Sequence, residues 1–351
     1  MTRREFLALL GVGASGAPCA MAADATLVRE KMARASGASA IPRRAASGTP
    51  AAVTQEKAVV VEVQSPRVII EPRIHERRLG EMIGQALQQL TETSTDADAW
   101  HAILQDDDVI GLKFNGSGAA GLAITEPFAR LLVASLGQAG WAPEKIVLIE
   151  VGPRLVRQLK VQPRRTGWQS DKTTFGSGVD QLAAVLDQVT AIVNVPFFKA
   201  NRIAGMSGCL KNLSHALVRH PAHYHANAKP DPKRGVLEPG SHCSPYIADI
   251  VACPPVRDKL RLHLVNALRT AREPKFNPTG SAVETYGAVL AGRDPVAVDM
   301  VGLEILNQQR ISRNQLPLAK PDEPLPQLRA AAEVGLGIWD PDFIDHLTVR
   351  V

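Results

Sequence analysis

From Val59 onward, short β-branched runs alternate with stretches of helical periodicity, and this alternation limits the fold more than any other feature. Val59-Val60-Val61-Glu62-Val63 reads as a strand. His75 to Leu90 places Leu79, Ile83, Leu87 and Leu90 on one helical face. Val109 to Phe114, Ile146 to Ile149 and Ala191 to Val195 read as further strands. Thr125 caps a helix bearing Phe128, Leu131, Leu132 and Leu136, and Leu182 to Leu186 reads as helical. Leu260 to Val265 and Gly287 to Leu290 are strands, Pro295 to Leu306 is a helix, and Leu347 to Val351 closes the chain. Strands separated by helices of this length predict one α/β domain over residues 56–351, with a mainly parallel sheet and helices on both faces. Such sheets bind ligands beyond the carboxyl ends of their strands. A hydrophobic content of 45% is enough to build the core without staples.

The first 55 residues read differently. Thr2-Arg3-Arg4-Glu5-Phe6-Leu7 precedes an apolar stretch from Ala8 to about Ala17, and Ala20-Met21-Ala22 is a small-x-small cleavage site. Together these predict a secretory signal over residues 1–22, and the arginine pair followed by Phe-Leu specifies the twin-arginine route. The expected partners are therefore the twin-arginine export machinery and signal peptidase, and the expected location is the periplasm or another exported compartment. An uncleaved anchor is the alternative, but the apolar run is too short and too rich in Gly and Ala for a stable membrane span. Residues 23–55, rich in Ala, Ser, Gly, Arg and Pro, read as a flexible linker.

Several function classes are disfavoured. The net charge of +5 comes without a Lys/Arg run interleaved with aromatics, so no nucleic-acid partner is expected. Cys19 falls in the signal, leaving Cys209, Cys243 and Cys253, too few for a four-cysteine iron–sulfur cluster. Gly116-Ser117-Gly118-Ala119-Ala120-Gly121 has the letters of a dinucleotide fingerprint. However, the next helix opens only at Thr125-Glu126-Pro127, and the next strand-end acid, Glu150, lies too far on. A flexible glycine loop is the better reading, and NAD is not expected.

Lys113 and Asn115 stand at one strand end, Lys199 and Asn201 just past another. In a parallel sheet both pairs converge on one edge, where they suit a small anionic ligand, unless the lysines simply reach out to solvent. In Gly205-Met206-Ser207-Gly208-Cys209-Leu210-Lys211-Asn212-Leu213, two glycines flank a serine before a probable helix, whose first N–H groups can hold a carboxylate or phosphate. Ser207, Gly208 and Asn212 are thus ligand-binding candidates, and Lys211 and Lys199 catalytic ones. His215 is the acid/base candidate, because imidazole exchanges protons near neutral pH. His215, His220, His223, His225 and His242 fall within 28 positions, followed by Cys243. His220, His223, His225, His242 and Cys243 are a candidate metal set. Pro221, Pro230, Pro232 and Pro239 mark that stretch as a long His/Pro-rich loop over the strand edge, and a polar lid without metal is the other reading. Asp294 caps a helix with Pro295 at its first position. Asp299, farther along, is a ligand-binding candidate as an acid that orients a site lysine, unless it faces solvent or is satisfied in the core.

These segments together resemble the family called domain of unknown function 362, over roughly residues 105–308. The likeness rests on Gly111-Leu112-Lys113-Phe114-Asn115, on Asn194-Val195-Pro196 with Lys199, and on Gly205-x-Ser207-Gly208-x-x-Lys211-Asn212-Leu213. Ile247-Ala248-Asp249-Ile250, Val265-Asn266-Ala267-Leu268 and Ala291-Gly292-Arg293-Asp294-Pro295-Val296-Ala297-Val298-Asp299 add to it. The family usually carries His where Asn201 stands and Asp where Asn266 stands, which weakens any acid/base or metal role there. Ala204 to Lys211 is also similar to a segment of the nickel-pincer lactate racemase family. That likeness implies a metal-containing organic cofactor attached at Lys211. The combined expectation is a cofactor- or metal-containing enzyme acting on a small anionic substrate. The alternative is an exported accessory protein that binds a cofactor or anion without catalysis.

Overall fold

A computed structural model describes residues 56–71, 73–116, 122, 125–221, 243–320 and 323–351. The expected signal and linker, Ser117 to Gly121 of the glycine loop, and His223, His225 and His242 lie outside the described residues, as does the side chain of Cys243.

The central sheet runs in the order β13-β1-β12-β11-β8-β4-β5. Its strands are β1 (Ala58–Gln64), β4 (Ile110–Phe114), β5 (Ile146–Ile149), β8 (Ala191–Val195), β11 (Leu260–Ala271), β12 (Val283–Gly292) and β13 (Ile344–Arg350). Neighbours β11-β8-β4-β5 are parallel, as are β1 and β13. β12 runs antiparallel to both β1 and β11, so the α/β sheet is mixed though mostly parallel. Two short pairs were not legible beforehand. These are β2 (Ile69–Ile70) with β3 (Arg73–Ile74), and β9 (Lys199–Asn201) with β10 (Gly205–Ser207); β9 joins the main sheet through Ala271.

The segment Leu182 to Leu186, expected to be helical, instead ends a strand. β6 (Trp168–Phe175) and β7 (Gly178–Ala183) form a hairpin, and Ala184–Asp187 is a single 3₁₀ turn. An unbroken apolar run has no period with which to choose between helix and strand; here the hairpin partner decides.

Helices cover both faces. Helix α1 (Glu76–Thr91) buries Leu79, Met82, Ile83, Ala86 and Leu87 at the 3.6-residue spacing, and the His75 side chain accepts from Arg78 N at its start. With α2 (Asp96–His101) and α3 (Thr125–Gln138) it packs on the face formed by Leu112, Phe114, Leu148, Val193 and Leu264. The chain continues through α4 (Pro153–Leu159). Helices α5 (Cys209–Ser214), α6 (Cys243–Ala252), α8 (Pro295–Ile311) and α9 (Pro326–Glu333) contribute to the opposite core with Val147, Ile192 and Val265; the short α7 (Pro254–Arg257) follows α6. Asp294 caps α8 by accepting from Val296 N and Ala297 N, with Pro295 just inside. No helix among the described residues is long and apolar enough to cross a membrane.

Candidate functional site

Side chains alternate between sheet faces, so register fixes which polar residues meet. Lys113 of β4 stands opposite Asn194 of β8, and Asn194 stands opposite His263 of β11. All three are essentially unexposed, and in β4 and β8 Lys113 and Asn194 are the only polar side chains. Their row points to the face carrying α5, whose Asn212 closes the network. Asn212 Nδ2 donates to Asn194 Oδ1 (2.6 Å) and to Lys113 O (3.0 Å), while its Oδ1 accepts from Lys113 Nζ (3.1 Å). Asn194 Nδ2 donates to Cys209 O at 3.1 Å and lies 3.0 Å from His263 Nδ1. Burial brings His263 down to about 3, so its imidazole is neutral.

The charge of Lys113 is met inside the protein. Its Nζ donates to Glu150 at 2.5 Å and to Phe114 O at 2.8 Å. Burial disfavours the ammonium and lowers the Lys113 pKa, against the pull of Glu150. Burial also disfavours the Glu150 carboxylate, but the Lys113 charge and hydrogen bond together with the neighbouring His215 outweigh it, and the Glu150 pKa falls to about 2. Glu150 follows β5 with φ 61°, a left-handed backbone. The other left-handed non-glycine residues described, Glu92, Lys160, Ala216 and Asn314, follow helix ends, where such geometry is routine. At a strand end it is a local cost, held in place by the surroundings. Gly116 begins the glycine loop against this residue: a Cβ there would come within 3.1 Å of Glu150 O and 3.5 Å of Glu150 Oε1.

Glu150 Oε1 lies 3.9 Å from Nδ1 of His215, too far for a hydrogen bond. His215 closes α5; its side chain is 38% exposed, yet its Nδ1 is buried without a hydrogen-bond partner. The half-exposed imidazole and the partly exposed carboxylate form the outer end of an otherwise buried polar row. Asn115 follows β4 directly and is half-buried.

The start of α5 is already occupied. Asp299, fully buried in α8, accepts from Cys209 N (2.6 Å) and Leu210 N (3.0 Å). Gly208 makes room for it, since a Cβ there would meet Asp299 Oδ1 at 2.2 Å. Burial raises the Asp299 pKa to about 7 despite those two bonds. Burial and the nearby Asp299 push the Cys209 thiol well up, so it is held as an unreactive thiol. Lys211 is buried within α5 at 7% exposure. Asn201 holds the β9–β10 turn: its Oδ1 accepts from Ile203 N and Ala204 N, and its Nδ2 donates to Ser207 Oγ. Lys199 Nζ donates to Phe276 O at 3.0 Å, away from the Lys113 row.

Thus Lys113, Asn212 and His215 gather around one feature, and Lys199, Asn201 and Ser207 around the β9–β10 hairpin. Asp299 belongs with Gly208 as the cap of α5. His220 is held by Asp180, which bonds both its backbone N and its Nδ1 at 2.8 Å. Among the described residues no group of three or more His, Cys, Asp or Glu is gathered to hold a metal. The sequence reading missed Glu150, Asn194 and His263 as site residues. The available signal was Asn194 as the one polar residue in Ala191 to Val195, and His263 between Leu262 and Leu264.

Residues 164–304 match the model of a family described as a domain of unknown function (DUF362). No curated protein matches the chain in sequence. Among solved structures, the lactate racemase apoprotein from Thermoanaerobacterium thermosaccharolyticum is similar at 12% identity and a TM-score of 0.44. That comparison covers 72% of this chain and 58% of the other, so this chain spans less than two thirds of that protein's length.

Proposed function

We propose that this chain, whose residues 164–304 match the model of the family called domain of unknown function 362, is an exported enzyme that moves a proton on a small anionic substrate at His215. The observation that carries this reading is Glu150: a carboxylate kept ionised by a buried lysine, in a left-handed backbone, with one oxygen turned toward a half-exposed imidazole. A carboxylate placed near a partly exposed imidazole is an arrangement that suits a general acid/base with a charged neighbour. The site lies beyond the carboxyl ends of β4 and β5, where parallel sheets place ligands. Lys211, four residues before His215, brings a second cationic side chain to the same short helix. Export rests on Arg3-Arg4 and the Ala20-Met21-Ala22 cleavage site.

A second reading, an accessory protein that holds an anion or cofactor without chemistry, is favoured by how much of the site's charge is met internally. Lys113 is spent on Glu150, and the α5 amides on Asp299. One experiment separates the two. The full chain is expressed with and without Arg3→Lys and Arg4→Lys and fractionated. The exported protein is then screened by ligand-observed NMR against small carboxylates and phosphates, and each binder is followed for turnover. Conversion that His215→Asn abolishes while binding persists supports the enzyme. Binding without conversion supports the accessory protein. Export unaffected by the lysine pair removes the twin-arginine reading.

A further inference from the structure

A second amine stands apart from the His215 site. In the β9–β10 hairpin Lys199 is paired directly with Ser207, and residues opposite one another in an antiparallel ladder share a face. Lys199 is 4% exposed. Its Nζ lies 6.0 Å from the centroid of the Phe197 ring and 5.7 Å from that of Phe276, and it donates to the Phe276 carbonyl. Phe197 belongs to a small apolar cluster with Leu122 and Ala271, backed by Val283 and separate from the two main cores. The Phe276 ring is the wall that meets solvent, at 60% exposure.

The contrast with Lys113 is chemical. Lys113 is buried against a carboxylate, whereas Lys199 is buried against ring faces and a carbonyl oxygen, which favour an ammonium far less than a full countercharge does. Burial accordingly brings the Lys199 pKa down to about 8. At pH 7 that leaves roughly 10²-fold more neutral amine than an ordinary lysine offers. A desolvated lysine in an apolar setting is a nucleophile toward carbonyl carbon.

We propose that Lys199 forms an imine with a small apolar aldehyde that enters past Phe276. The nitrogen lone pair adds to the carbonyl carbon, and the oxygen takes up a proton to give the carbinolamine. That hydroxyl then leaves as water while nitrogen gives up its remaining proton, leaving a carbon–nitrogen double bond. One water is released for each aldehyde bound, and nothing is oxidised or reduced. The walls select the aldehyde: phenyl rings and aliphatic side chains suit a short hydrocarbon chain.

The full chain is treated at pH 7 with limiting butanal and sodium cyanoborohydride, which reduces any imine to a stable secondary amine. Alkylated lysines are then mapped by peptide mass spectrometry over time. Lys199 is expected to label at least about 10-fold faster than exposed Lys275 and Lys320. Phe276→Ala is expected to speed labelling at Lys199 and leave Lys320 unchanged. Labelling of Lys199 no faster than Lys275 and Lys320, read on the unaltered protein, overturns the proposal. Because the map reports residue by residue, this result is independent of any outcome at His215.

Discussion

Glu62 is a buried carboxylate and Glu150 a partly exposed one, at opposite sides of one sheet, and their surroundings differ in kind. Glu62, in β1, accepts from Tyr286 Oη at 2.6 Å and Gln64 Nε2 at 2.7 Å, and lies 2.8 Å from Nε2 of His346. Burial would raise its pKa, but these bonds outweigh it and the value is lowered. Glu150 answers instead to a lysine with no exposed surface. The partners of Glu62 are neutral groups and an imidazole that is 37% exposed, able to turn to water. The lesson is that two carboxylates with lowered pKa values need not be equally committed to the fold. Every polar atom of Glu62 is used to join β12, β1 and β13, whereas Glu150 leaves one oxygen facing His215 across 3.9 Å. The first arrangement holds strands together, and the second keeps a charged group beside a partly exposed imidazole.

Three measurements test that contrast, the largest effect first. Lys113→Met removes the countercharge and leaves a buried carboxylate alone, a change expected to cost about 3–5 kcal/mol. Urea unfolding reads it, and a loss under about 1 kcal/mol would mean Glu150 is not held by the ion pair. Next comes acid. The folded Glu150 value of about 2 lies below the ordinary 4.5, so its contribution is complete above about pH 4.5 and is lost as pH falls toward 2. The contribution is on the order of 3 kcal/mol. Glu150→Gln should flatten that limb of the stability–pH curve, and an unchanged slope would locate the acid sensitivity elsewhere. The smallest effect is at the other carboxylate: His346→Ala should cost about 1 kcal/mol or less, because the imidazole is partly solvated. A cost matching that of Lys113→Met would erase the distinction between the two regions.

What was legible in the residues follows the physics of each element. The β-branched runs that became β1, β4, β5 and β8 carry a strong local signal, and the start of α8 is written in Asp294-Pro295. β7 was misread because Leu182 to Leu186 has no period, and β9 and β10 are three residues each, too short to show one. Lys113, Asn212 and His215 stand out in the sequence, and the structure brings them near one another, but their company is not legible there. Period-2 alternation shows that Asn194 and His263 break an apolar strand; only the order β11-β8-β4-β5 puts them in one row with Lys113. In the same way Gly208 looked like an open anion cradle, because the carboxylate that fills it comes from a distant helix.

That distance has a consequence for how the chain matures. Asp299 is 90 positions beyond Cys209, so the first amides of α5 have no internal acceptor until α8 has been synthesised and docked. Closure of so long a loop is entropically late, and Lys113, Asn194 and Asn212 depend on α5 for their final geometry. The surroundings of His215 are thereby assembled among the last parts of the molecule. Any fragment ending before residue 299 would carry the residues of the site but lack the acid that sets its helix in place.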